Sequence, residues 1–239
     1  MFKNKYLLII FFFCLLLGCK KDMSIVFTET NLTSENNSIV NVNIPLAHKN
    51  NDITKSINLS IKDYVIGALQ IGEPNNSTSK SVEESIKNFN NEYNNFINDF
   101  PESTQEWEAQ IDGEVVFKTQ DIISVSLTSY TNTGGAHGNL NISFLNFDPS
   151  TGKIIDNNQL FTDIEGFKTI VKKYFDISIK DKDILFDSET FQLPENIGFS
   201  DDGIILLYNT YEIAPYSTGI IEFSIPIEEA NPYLVFNSF

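Results

Sequence analysis

His137 is one of only two histidines in the 239 residues. It stands in the run Tyr130-Thr131-Asn132-Thr133-Gly134-Gly135-Ala136-His137-Gly138. Imidazole is the side chain whose ordinary titration falls nearest neutrality, and glycine permits positive φ and the close approach of a second segment. A binding loop or a catalytic base would use that combination. A structural crossover would use it too, with His137 capping a backbone carbonyl. Catalysis would need a nucleophile or a carboxylate partner, and Asp148 is the carboxylate considered for that role. A second cluster, Tyr208 to Gly219, places Tyr211 and Tyr216 beside Pro215 and Gly219. Tyrosine rings offer rigid contact area with a polar tip, which suits recognition; a packed tyrosine corner is the alternative. Tyr130, Gly134, Gly135, His137, Tyr211 and Tyr216 are therefore the candidate binding residues, and no residue is assigned as catalytic.

The rest of the composition narrows the chemistry. There is no Gly-x-Ser-x-Gly elbow, no His-Glu-x-x-His and no phosphate-cradling glycine loop. His48 and His137 are too few for a histidine-rich metal site, and no cofactor or metal is expected. The run Asp181, Asp183, Asp187, Glu189 departs from a calcium loop, with Phe186 where glycine is needed and Gln192 where glutamate is needed. All sixteen basic residues are lysine, so the bidentate guanidinium fork used for phosphate and carboxylate ligands is missing. The formal net charge is −16, which repels nucleic acid and anionic headgroups, attracts cationic partners and favours solubility.

The N-terminus carries an address. Lys3 and Lys5 precede the apolar run Tyr6 to Leu17, followed by Gly18, Cys19, Lys20 and Lys21. As a helix the run would reach roughly 18 Å, short of a bilayer core of about 30 Å, so a cleaved signal is expected rather than a membrane span. A small residue followed by cysteine where that run ends has the form of a lipoprotein signal. Residues 1–18 are read as the signal peptide, Cys19 as the lipidated N-terminus and 19–38 as a polar tether. Cys14 would leave with the signal, so no thiol remains for a disulfide. Lys20 after the cysteine is not an inner-membrane retention signal, and the expected location is the outer membrane, facing periplasm or exterior.

The elements that must position the candidate loops follow from periodicity. Ile39 to Ile44 alternates as a short strand ended by Pro45. Ile53, Ile57, Ile61 and Val65 recur at helical spacing, as do Val82, Ile86, Phe89 and Tyr93 after Ser81, which forms a capping box with Glu84. Gln105 to Tyr130 alternates as a hairpin turning near Gln120, with Asp112-Gly113 as an earlier turn or a bulge. Leu140, Ile142 and Phe144 form a strand, and Asp148-Pro149-Ser150-Thr151-Gly152 a turn. Thr162 and Glu165 make a second capping box before Phe167, Ile170, Val171 and Phe175. Residues 181–198 read as irregular, Gly203–Tyr208 and Gly219–Ile225 as strands, and Pro226 as the first position of a short helix. The expected fold class is α+β in two lobes, antiparallel sheets each packed by one or two helices. An N-terminal module covers 39–131 and a C-terminal module 132–239, with the boundary near Thr131 to Asn139.

Tyr130 to His137, Asp148 to Lys153, Leu160-Phe161 and Tyr211 to Gly219 together resemble the C-terminal module of the RsiV type, the outer part of lysozyme-sensing anti-sigma factors. Residues 39 to 130 resemble the module that precedes it there, and that also stands ahead of the catalytic domain in PdaC-type peptidoglycan deacetylases. A lipoprotein signal stands here in place of the sigma-binding segment and membrane span, and no metal-dependent catalytic domain is recognised. The resemblance therefore implies a non-catalytic binding or sensing scaffold of the cell envelope, with lysozyme or a peptidoglycan fragment as partner. A lysozyme-type inhibitor and a wall hydrolase using His137 are the alternatives.

Overall fold

A computed structural model describes residues 25–49, 51–72, 79–180 and 182–236. The signal peptide, Cys19 and Asp181 lie outside the described residues. In chain order the elements are β1 (Phe27–Leu32), β2 (Val40–Ala47), α1 (Asp52–Ala68), α2 (Val82–Asp99), β3 (Glu108–Lys118), β4 (Ile123–Asn132) and β5 (Asn139–Phe147). Then come α3 (Ile164–Ser178), β6 (Asn196–Ser200), β7 (Gly203–Tyr208), β8 (Ile221–Pro226) and α4 (Ile227–Ala230). They make two sheets, β1-β2-β3-β4-β5 and β6-β7-β8, each flanked by helices, in an α+β fold of two lobes. No helix among the described residues is long and apolar enough to cross a membrane.

In the first sheet β2 and β3 run parallel and the other neighbours antiparallel, so the sheet is mixed rather than purely antiparallel. A parallel pair needs a long crossover, and α1 with α2 supplies it. The alternating apolar positions Val42, Ile44, Ile111, Val125 and Leu127 turn one sheet face to Ile57, Ile61 and Val65 of α1 and Ile86 and Phe89 of α2. Burying each such side chain stabilises the fold by about 1.5–3 kcal/mol before entropy is counted. Pro45 does not end β2. The parallel pairing with β3 stops at Asn43↔Asp112 while Pro45 still faces Glu29 of β1, and its ring packs against Gly113, where an added Cβ would lie 2.7 Å from Pro45 Cδ.

Two elements lie across the expected boundaries. The tether expected over 19–38 contains β1, a polar strand paired with β2 from Phe27↔Ala47 to Leu32↔Val42. Its alternation of Thr, Glu and Asn is that of an edge strand and carries almost no hydrophobic signal. The sheets divide after Phe147, one strand later than the boundary expected near Thr131 to Asn139, because β5 pairs along its length with β4. The β3–β4 turn falls at 119–122 as expected. Asp112 and Gly113 lie inside β3, and the register shift comes later, between Val115 and Phe117.

Helix ends show which acceptor wins. Asn51 caps α1 through Oδ1 from Thr54 N at 2.9 Å, and Ser81 caps α2 from Glu84 N at 3.2 Å. Glu84 reaches one residue past the expected position and accepts from Lys80 N at 2.7 Å. On α3 the cap is Asp163, accepting from Gly166 N at 2.9 Å, and Thr162 instead donates to Tyr233 O at 3.1 Å. A charged acceptor outcompetes a hydroxyl one residue away. Gly166 leaves room for the Tyr233 ring, whose Cε1 would lie 2.5 Å from an added Cβ. Pro226 precedes α4 as its cap rather than as its first helical residue.

The two sheets meet through polar side chains. Ser124 and Asn146 face each other across β4 and β5 and are almost fully buried. Ser124 Oγ accepts from Phe199 N at 3.2 Å, and Asn146 Nδ2 donates to Ile197 O at 2.7 Å. The open edge of β6 is thereby satisfied by the face of the first sheet, as a buried backbone requires. Gly198 lies under the Phe144 ring, whose Cε1 would be 2.6 Å from a Cβ there, and Phe117 stacks on Phe199 at 6.4 Å. The stretch expected to be irregular up to Gly198 thus contains the start of β6. Glycine inside a five-residue strand hides the strand from a hydrophobic pattern.

Candidate binding site

The glycine loop is the β4–β5 connection, at one end of the five-stranded sheet. Asn132 Oδ1 accepts from Gly134 N at 3.0 Å and starts the turn. Gly134 adopts φ +81°, and a Cβ there would lie 2.6 Å from Gln105 Oε1. Gly138 is buried against Tyr130, and any Cβ on it would collide with that ring. The loop is thus pinned from both sides while Gly135 and His137 stay exposed.

The segment 209–219 of the second lobe arrives from across β5. Asn209 clamps the outer edge of that strand: its Oδ1 accepts from Ile142 N at 2.9 Å and its Nδ2 donates to Ile142 O at 2.8 Å. Glu212 fixes the turn that follows, accepting from Asn209 N at 2.8 Å and from Glu195 N at 2.9 Å. Burial pushes the Glu212 carboxyl above the usual range, against the pull of those two N–H groups. Tyr208 donates to Gln192 O at 2.6 Å, and burial with the nearby Glu212 charge raises its phenol.

The two clusters separated by more than 70 residues in sequence come together here. The His137 ring stacks on Tyr216 with centroids 3.6 Å apart and planes 16° apart, and Tyr211 lies 5.8 Å beyond Tyr216. Gly138 O accepts from Tyr216 Oη at 3.0 Å and from His137 Nδ1 at 2.9 Å. A carbonyl only accepts, so Nδ1 is the donor in that contact. His137 therefore does cap a backbone carbonyl while also forming the end of an aromatic ladder. Tyr211 is 58 % exposed, with φ +68°.

Asp148 is not a partner for His137. It follows the last residue of β5 whereas His137 precedes the first, and nine residues of strand separate Asn139 from Asp148 by roughly 30 Å. Its carboxylate accepts from Ser150 N and Oγ at 2.7 Å and from Thr151 Oγ1 at 2.9 Å. Burial raises its pKa, and these hydrogen bonds outweigh that and hold the carboxyl below its ordinary value. Asp187 likewise caps its own loop, accepting from Glu189 N at 2.9 Å and Thr190 N at 3.1 Å. No group of three or more His, Cys, Asp or Glu suited to a metal ion occurs among the described residues.

Asn209, Glu212 and Tyr64 were not singled out from sequence. Asn209 and Glu212 lie inside the tyrosine cluster, but nothing local marks an amide that will serve as a strand neighbour. Tyr64 looks like one more residue of a helix. It reaches over the sheet, with Oη 3.2 Å from Ser129 Oγ.

Residues 32–140 match the family profile described as deacetylase PdaC, and residues 154–228 match that of DUF3298, a family of unknown function. His137 falls in the first match and Tyr211 and Tyr216 in the second, so the ladder is assembled from both. No curated protein matches the chain. Among solved structures, a DUF3298-family member from Bacteroides fragilis superposes with a TM-score of 0.61 at 19 % identity, covering 90 % of this chain and 93 % of its own. A DUF3298-family protein from Pseudomonas aeruginosa superposes with a TM-score of 0.54 at 19 % identity, covering 88 % of this chain and 93 % of its own. At this identity the likeness is one of fold. The chain carries a DUF3298-family domain behind a PdaC-like region.

Proposed function

We propose that this chain is a non-catalytic binding or sensing module of the cell envelope, anchored through lipidated Cys19. Its contact surface is the Tyr211–Tyr216–His137 ladder, and its partner is a strongly basic wall-acting protein such as a lysozyme. The ladder is the observation that carries the reading. Two exposed loops from different lobes converge on a rigid aromatic surface, as contact anchors do. The groups nearest His137 are rings and a backbone carbonyl, which supply contact rather than proton transfer. The net charge of −16 selects a cationic protein and speeds encounter with it. The resemblance to the outer modules of RsiV-type sensors agrees with that partner, and the Cys19 signal with an outer-membrane location.

Calorimetric titration with a basic lysozyme tests the reading. Saturable binding is expected, weakening as salt rises from low to physiological concentration. Absence of binding, or binding indifferent to salt, overturns the choice of partner. Turnover of wall fragments that disappears in His137→Ala overturns the non-catalytic assignment.

A further inference from the structure

Beside the ladder an open groove of roughly 620 Å³ runs along the outer edge of β5, within the about 300–1,000 Å³ typical of small-molecule sites. Its floor is Asn141, Ser143 and Leu145. One wall is Tyr64 of α1, and the other is Glu195, Asn196 and the segment Asn209 to Glu212. We infer that this groove is a binding site for a neutral oligosaccharide, held by the amides and hydroxyls of Asn141, Ser143, Asn196 and Thr210, with the Tyr211 ring as its stacking platform.

Three observations select that ligand class. A peptide would be expected to add as a strand along an open sheet edge. That edge is closed at Ile142, where both amide groups of Asn209 take the backbone N–H and C=O that an added strand would use. Recognition in the groove must therefore run through side chains. No lysine, arginine or histidine lines it, and its two carboxylates, Glu195 and Glu212, disfavour phosphate, carboxylate and anionic headgroups. Both Glu212 oxygens are already committed to backbone N–H groups. Apart from the exposed Glu195 carboxylate, the uncommitted polar groups are neutral. Asn196 and Thr210 make no side-chain hydrogen bond to the described residues, and Asn141 makes only a long one, 3.4 Å to Ser143 Oγ. Neutral groups able both to donate and to accept suit hydroxyls, and an exposed tyrosine ring suits the apolar face of a sugar.

The inference goes beyond the protein-partner reading and uses different residues from the His137 end of the ladder. The test is calorimetry of the full chain in detergent solution against cellotetraose, chitotetraose and maltotetraose. At least one is expected to bind saturably. Tyr211→Ala and the double variant Asn141→Ala/Thr210→Ala are each expected to weaken it tenfold or more with an unchanged thermal midpoint, while Ile177→Ala, an exposed position on α3 outside the groove, shifts it by less than twofold. Absence of binding by all three, or binding unchanged in both groove variants, overturns the site. Lysozyme binding without oligosaccharide binding removes the groove and leaves the proposed function. Oligosaccharide binding without lysozyme binding supports the groove and removes the partner.

Discussion

Two glycine-bearing turns flank β5, and they use their polar groups in opposite ways. At the far end, Asp148 turns every oxygen inward, onto Ser150 and Thr151, while Gly152 N donates to Asp148 O at 2.7 Å. Gly152 adopts φ +71° with its α-carbon against the Ile53 carbonyl of α1. At the near end, the glycine loop spends few of its groups on itself and holds His137 outward against Tyr216. Both turns are rich in small and polar residues, and sequence pattern alone does not separate a latch from a display. The difference lies in where the side chains find partners: a latch satisfies itself, and a contact surface leaves ring faces for another molecule.

The largest expected effect comes from attacking the latch. Gly152→Ala combines left-handed backbone with a collision against a helix carbonyl and is expected to cost about 2–3 kcal/mol in urea unfolding. At the display end Gly135→Ala meets nothing closer than 3.7 Å, and is expected to cost under about 0.5 kcal/mol. Equal costs at the two positions would erase the distinction. Next in size, Asp148→Asn is expected to lose about 1 kcal/mol at neutral pH, the low end for a hydrogen-bonded charge because the site is partly exposed.

The same aspartate sets a pH dependence. Its folded pKa is depressed, so its contribution is present above the ordinary aspartate value of 3.8 and is lost as pH falls through the lower folded value. Unfolding midpoints followed downward from pH 5 are expected to fall more steeply for the native chain than for Asp148→Asn. Parallel curves would contradict the assignment. His137→Ala, at an exposed position, is expected to cost as little as Gly135→Ala, under about 0.5 kcal/mol by the same unfolding curves.

The two helices that cover the first sheet were legible because Ile57, Ile61 and Val65, and Val82, Ile86 and Phe89, repeat at helical spacing, and the cap at Ser81 was legible from the Glu84 that follows it. The ladder residues were legible one by one, since glycine beside histidine and tyrosine beside proline are unusual locally. Their convergence was not. It depends on Asn209 seizing an edge 67 residues away, and nothing in the sequence around Asn209 names that target. β1 escaped notice because a polar edge strand buries little. The sheets divide one strand beyond the expected module boundary, because the glycine loop that breaks the pattern is a hairpin connection between paired strands. The lobes are instead joined by Ser124 and Asn146, two of many polar residues in β4 and β5, whose purpose shows only when the β6 edge meets them.

The central claim, that the surface built jointly by the two lobes is the contact site, is most directly tested by a double-mutant cycle on His137→Ala and Tyr216→Ala. The readout is calorimetric affinity for a basic lysozyme. Each single variant is expected to weaken binding by about tenfold, or about 1.4 kcal/mol, and the double variant by clearly less than the product, because one ring supports the other. Affinity unchanged in all three variants would contradict the account.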